Sequence, residues 1–240
     1  MTRAIKIKLH QQQAVYRNPS TSEIIETFPL PPPSTILGLI CALTKQQHIS
    51  SQINFSISGN HDTLIRDYQW FKKGKSLTTY PILVHMLFDV NLTLHIVASN
   101  DNLLDKIRES FLSPQSYMYL GRAEDLLNVY DLKFVDLKSQ NFEEIELEQS
   151  HYIPLHEVKN ISHEGIFYYL PTFMTLQQVV AGTKSQKIKS LRTFDWQQYH
   201  YFEKGNLECK HGSKCKILVD EEQPVWLTLP NQIQPQIHKA

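Results

Sequence analysis

TFPLPPPSTILGLICAL, residues 27–43, changes character halfway along. Prolines at 29 and 31–33 fix φ and deny backbone donors, so the chain is held extended and no helix precedes them. Beyond them Ile36, Leu39, Ile40 and Leu43 recur at helical spacing, with Ser34 and Thr35 placed to supply N-cap chemistry. A helix therefore starts where a rigid proline entry aims it. Gly38 costs that helix about 1 kcal/mol against Ala, and predicts close packing at its surface.

Upstream, Ile5, Ile7 and Leu9 alternate with Lys6, Lys8 and His10, a half-buried strand with a basic outer face. Asn18-Pro19-Ser20 reads as a turn. Downstream, Phe55 and Ile57 mark a second strand ending in a Gly59-Asn60 turn, and 63–72 a third. KKGKSLTTYP (72–81) is a basic loop or hairpin leading into the apolar run at 81–88. Val90, Leu92, Leu94 and Ile96 against Asn91, Thr93 and His95 predict a strand with one buried face. Leu104, Ile107 and Phe111 share a helical face over 101–112, with Asp101 as cap and Pro114 as stop. Strand character returns at 127–137.

The order strand, helix, strands, helix, strand over 1–140 predicts an α+β fold. Its expected plan is ferredoxin-like or RRM-type, with two helices on one sheet face and the other face free. Residues 141–240 read as a smaller β-rich region, with strand-like pieces at 165–170, 198–203, 206–219 and 225–229.

The 240 residues carry 24 Lys+Arg against 24 Asp+Glu, so no global field draws the protein to nucleic acid or membrane. Charge is segregated instead. Residues 121–148 hold three bases and eight acids, net −5; residues 183–216 hold eight bases and three acids, net +5. Three cysteines in no disulfide-like pattern, no secretory signal and no apolar run of membrane length predict a cytoplasmic protein without a membrane partner.

Four features suit a polyanion. The helix start at Ser34 and Thr35 offers free N–H groups and the positive dipole end, although plain capping explains the same residues. Lys72, Lys73 and Lys75 adjoin Trp70, Phe71 and Tyr80, a pairing of cations and flat rings that suits single-stranded RNA or, equally, a solvated loop. KSQKIKSLR (184–192) spaces Lys187, Lys189 and Arg192 as a phosphate-tracking arm or an exposed loop. Lys8 adds a cation on the first strand. Cys209, His211 and Cys215 lack a second half-site for zinc, and a surface hairpin around Gly212-Ser213 accounts for them better. No cofactor or metal is expected, and no catalytic signature is present.

Two passages carry a family resemblance. Residues 27–43 resemble the proline-rich segment of the CRISPR-associated family five proteins, and YLGRAEDLLNV (119–129) resembles that family's Gly-Arg…Glu-Asp segment. Ala14-Val15-Tyr16-Arg17 is similar to the family's stretch after the first strand. The resemblance covers the N-terminal half and suggests a subtype I-B-like member. It implies a RAMP-superfamily fold, with a β-hairpin thumb inserted around 66–85. It also implies a non-catalytic subunit of Cascade that caps the five-prime handle of the CRISPR RNA. The implied partners are that RNA, the backbone subunit, the large subunit and, through the complex, target DNA. Tyr16, Arg17, Ser34, Thr35 and Arg122 would lie near the handle. The alternative it implies is a metal-independent endoribonuclease, as in subtype I-C relatives, for which Tyr16, Lys8 and His10 are available.

Overall fold

Antiparallel pairing, much of it between segments far apart in the chain, builds most of this molecule. The computed structural model describes residues 2–21, 23–46, 49–72, 79–162, 165–181, 187–213 and 215–228. The strands are β1 (Thr2–Ala14), β2 (Ile24–Ile25), β3 (Ile53–Asn60), β4 (Thr63–Lys72), β5 (Thr79–Ala98), β6 (Asn128–Phe142), β7 (Glu144–Leu147), β8 (Ser150–Pro154), β9 (Ile161–Ser162), β10 (Ile166–Ala181), β11 (Lys187–Phe202), β12 (Gly205–Cys209), β13 (Cys215–Val219) and β14 (Pro224–Val225). Two helices, α1 (Pro33–Thr44) and α2 (Asp101–Leu112), complete a mostly-sheet α+β fold.

The large sheet runs β10-β11-β8-β3-β5-β1-β6-β13-β14, with β2 and β4 also pairing β5. β7, β12 and β9 form a separate small sheet. Strands from the C-terminal half thus extend the large sheet at both sides, and the boundary expected at 140 falls within β6. Ile5, Ile7 and Leu9 of β1 pack with Leu92, Leu94 and Ile96 of β5 beneath Ile36, Leu37 and Ile40 of α1 and Leu104, Ile107 and Phe111 of α2.

Both helix boundaries follow the sequence, but their caps do not. Pro32 is the N-cap of α1 and Pro33 its first residue, with no side-chain cap. Ser34 and Thr35 therefore sit inside the first turn, because proline already has the φ a helix start requires. Asn100, not Asp101, caps α2: its side chain accepts from the Leu103 N–H at 2.9 Å. Gly38 is exposed, and a Cβ there would meet nothing within 4 Å, so the expected close packing is absent. Gly59 and Asn60 are not a turn but the last residues of β3, where a Cβ on Gly59 would stand 2.6 Å from the Asn91 carbonyl oxygen.

The largest departure concerns the sheet face away from the helices. It was expected to be free, with Lys6 on a basic outer face of β1. Instead residues 215–228 cover its centre, and Lys6 is 1% exposed. Its Nζ lies 2.8 Å from Asp220 Oδ2 and 2.6 Å from Glu222 Oε2. His95 is fully buried with Nε2 2.8 Å from the same Asp220 oxygen, so β5 has two buried faces rather than one. Asp220 also accepts the N–H groups of Glu222 and Gln223. A cation inside a protein persists only when paired in this way. Cys209 and Cys215, contrary to expectation, are joined as a disulfide, which ties β12 of the small sheet to β13 of the large one. Among the described residues no helix is long and apolar enough to cross a membrane.

Candidate nucleic-acid interface

β5, with 20 residues, outruns its neighbours in the sheet centre, β1 with 13 and β3 with 8. Asn91 stands opposite Asn60 at one end of β3, and Ala98 opposite Ile53 at the other. Residues 79–88 therefore overhang the Asn60 end, where β4 pairs with them from Thr63↔Phe88 to Lys72↔Thr79. Residues directly opposite share a face, so this hairpin has two distinct sides. Leu64, Arg66, Tyr68, Trp70 and Lys72 stand on one side with His85 and Leu83. Ile65, Asp67, Gln69 and Phe71 stand on the other with Met86, Val84, Ile82 and Tyr80.

The first side is open. Tyr68 is 69% and Trp70 76% exposed, and Arg66 and Lys72 are exposed on either side of them. Cation, ring, ring, cation at two-residue spacing is about 3.4 Å per residue along an extended chain, so neighbouring rings lie some 7 Å apart. Such a row presents flat surfaces to splayed bases and charges to the phosphates between them.

The second side is anchored by the Gly-Arg…Glu-Asp segment. Asp125 is fully buried and accepts from the Val15 N–H, the Arg122 N–H and the Arg122 guanidinium at 2.9, 2.9 and 2.8 Å. Arg122 Nη1 donates to Gln69 Oε1 at 3.0 Å, and Nη2 lies 3.7 Å from Met86 Sδ. One salt bridge thus fastens the hairpin to the end of β1. Gly121 permits it with φ +106; a Cβ there would lie 2.7 Å from the Val15 carbonyl oxygen. Gln11 completes the anchor, its Nε2 donating to the carbonyls of Leu120 and Asp125 while its Oε1 accepts from the Tyr16 hydroxyl at 2.6 Å.

The predicted residues divide accordingly. Trp70 and Lys72 lie on the open row; Lys73 and Lys75 fall outside the described residues. Arg17 is exposed on the segment leaving β1, where it bridges Thr27. Ser34 and Thr35 are at the same end of the sheet, since β1 runs toward it and Leu30 packs beside Gly59. Arg122 is there too, but spent on the anchor rather than open to solvent. Tyr16 is not on a surface: it is 2% exposed, and burial first, Asp125 second, push its hydroxyl well above the usual phenol range. Lys8 is half-buried, 3.4 Å from Glu222. His10 Nε2 lies 2.7 Å from Asp89 Oδ1, so Tyr16, Lys8 and His10 each face a different partner. Lys187, Lys189 and Arg192 are on β11 opposite Ala181, Val179 and Leu176, a strand where a loop or arm was expected. β11 passes β8 with Phe202 opposite His151 and Tyr199 opposite Pro154, and β8 sets Ser150 against Gly59. Residues 187–198 therefore leave the sheet at the end away from β4, and these three cations do not join the others.

Arg66 and Tyr68 were missed, although TLIRDYQWFK puts them two and four residues before Trp70. Asp125 was counted in the acidic stretch and lies in the Gly-Arg…Glu-Asp segment, but was given no role of its own. Its partners at Val15 and Arg122 come from both sides of a long chain separation, and charge counting cannot see them.

Residues 4–191 match the family described as CRISPR-associated protein (Cas_Cas5). No curated protein matches the chain. Among solved structures, one from a CRISPR RNA-guided surveillance complex is similar at 12% identity and TM-score 0.50, covering 84% of this chain and 90% of that one. A CRISPR protein from Archaeoglobus fulgidus is similar at 13% identity and TM-score 0.49, covering 93% and 98%.

Proposed function

This chain belongs to the CRISPR-associated Cas5 family, and from that premise we propose that it is a subunit of an RNA-guided CRISPR complex that holds the five-prime handle of the guide RNA. The observation that carries the reading is the open row Arg66, Tyr68, Trp70, Lys72 on a hairpin overhanging the sheet end that also bears Arg17 and the start of α1. The solved relative from an RNA-guided surveillance complex supports the fold underlying it.

In this reading β4 and the first half of β5 are the thumb. The order β3-β5-β1-β6, all antiparallel and linked through α1 and α2, supports a ferredoxin-like core. The backbone and large subunits are its protein partners, and target DNA reaches it through the complex. The role is non-catalytic: the phenol of Tyr16 is in the core, and Lys8 and His10 are engaged with carboxylates.

Fluorescence anisotropy with labelled handle RNA tests this. Tyr68→Ala and Trp70→Ala are each expected to weaken binding about 5- to 100-fold, the scale of one lost base–aromatic stack, without loss of stability. Unchanged affinity in both variants refutes the assignment. Incubating the wild-type chain with labelled repeat RNA in EDTA tests the non-catalytic role, which site-specific cleavage would overturn.

A further inference from the structure

The hairpin of β10 and β11 exposes a second set of rings. Cross-strand register places Phe167 with His200, Tyr169 with Gln198 and Pro171 with Trp196 on one face. The other face carries Tyr168, Leu170, Tyr199 and Tyr201 into the core beneath the helices. Phe167, Tyr169 and Trp196 therefore stand on the sheet face opposite the helices. In an RRM-like sheet, that is the face on which aromatic residues stack bases. Here its centre is covered by residues 215–228, with Trp226 against His151 and Asp220 over Lys6. Beyond this cover, on the β10–β11 flank, rings on that face reach solvent.

Tyr169 is 60% and Trp196 37% exposed, with ring planes 16° apart and centroids 5.7 Å apart, so the two rings stand nearly parallel as a stack that remains open to solvent. Phe194, exposed two residues before Trp196, extends it along β11. The segment 166–202 contains four bases, Lys184, Lys187, Lys189 and Arg192, against one acid, Asp195. A docking face for another protein would serve as well with neutral or mixed flanks. A net +3 segment bearing stacked open rings complements a polyanion with exposed bases.

We propose that Tyr169 and Trp196 form a second stacking platform for single-stranded nucleic acid, at the opposite end of the sheet from the β4–β5 row. It goes beyond the handle-binding reading and does not depend on it, since the two surfaces share no residue. A strand held at both would run across the molecule, one end on Trp70 and the other on Trp196.

The chain's three tryptophans make the test direct. Trp226 is buried, so Trp70→Phe leaves Trp196 as the sole exposed tryptophan, and Trp196→Phe leaves Trp70. Each full-length variant is titrated with oligouridylate and oligothymidylate about 20 nucleotides long, at low and high salt, following tryptophan emission. The expected result is salt-sensitive quenching in Trp70→Phe by at least one of the two strands, weakened about tenfold when Tyr169→Ala is added. The strand that quenches more strongly identifies RNA or DNA. No quenching in Trp70→Phe while Trp196→Phe is quenched overturns this platform and leaves the handle reading standing; the reverse overturns the handle row alone. A Trp196 shift produced only by adding the other subunits, without nucleic acid, makes the surface a protein interface and also overturns the proposal.

Discussion

Asp125→Ala removes the acceptor of three donors at once. The Val15 and Arg122 N–H groups lose a partner at 2.9 Å, and each stranded buried donor costs about 1–3 kcal/mol. The Arg122 guanidinium loses its 2.8 Å bond, but its side chain is 20% exposed and regains some water, which puts its share at the low end of the cost of breaking a buried pair. The sum is about 4 kcal/mol, a large part of the roughly 5–15 kcal/mol that holds a domain folded. Urea denaturation followed by circular dichroism measures it. Arg122→Met should cost less, about 2 kcal/mol, because Asp125 keeps both backbone donors. The double variant should fall short of the summed losses by about 1–2 kcal/mol, since both changes break the same bond. A loss under about 1 kcal/mol for Asp125→Ala, or strict additivity with Arg122→Met, refutes the anchor.

Gly38→Ala, on an exposed helix position with open space at its Cβ, should raise stability by about 1 kcal/mol in the same assay. Gly121→Ala should lower it by about 2 kcal/mol or more, because φ +106 and the Val15 carbonyl both oppose a side chain. Stability should fall with acidity. Burial, helped by His95, pushes His151 down to about 3, and burial also lowers His95 against the opposing pull of Asp220. Both histidines are neutral when folded but take a proton near the ordinary 6.5 when unfolded, so the unfolded chain binds more protons below that pH. The loss is up to ~1.4 kcal/mol per pH unit per histidine, and His151→Phe should flatten the slope between pH 6 and 4 if the variant folds. Burial pushes Asp220 up, but bonds from His95 and Lys6 hold it below the carboxylate range, which adds a loss of the same sign below about pH 4. An unchanged slope in His151→Phe counts against the histidine's share.

What was legible in the sequence was local. Proline chemistry placed the start of α1 to within two or three residues, the 3.6 period placed α2, and TLIRDYQWFK matched β4 in full. What failed was decided by distant partners. Lys6 and His95 read as outward-facing because alternation reports only which residues share a side, and Asp220 is what turns that side inward. Arg122, expected near the handle, is held by Asp125 of the same Gly-Arg…Glu-Asp segment, a pairing that the resemblance of the segment did not assign to either residue. The disulfide was passed over because a six-residue spacing says nothing about two strands of different sheets meeting there. In the candidate interface, Trp70 and Lys72 were found by composition, while Arg66 and Tyr68 needed the strand's period-two geometry.

The pairing of Lys6 with Glu222 spans 216 residues, so β1 leaves the ribosome long before the residue that answers its charge has been made. At ~5–20 residues per second, that delay is on the order of 10–40 s, during which β1 cannot settle into the sheet as it stands in the finished molecule. The nascent protein must therefore keep its central strand provisional until residues 220–222 have been added, and a chain that stopped short of them would carry a stranded cation at its heart.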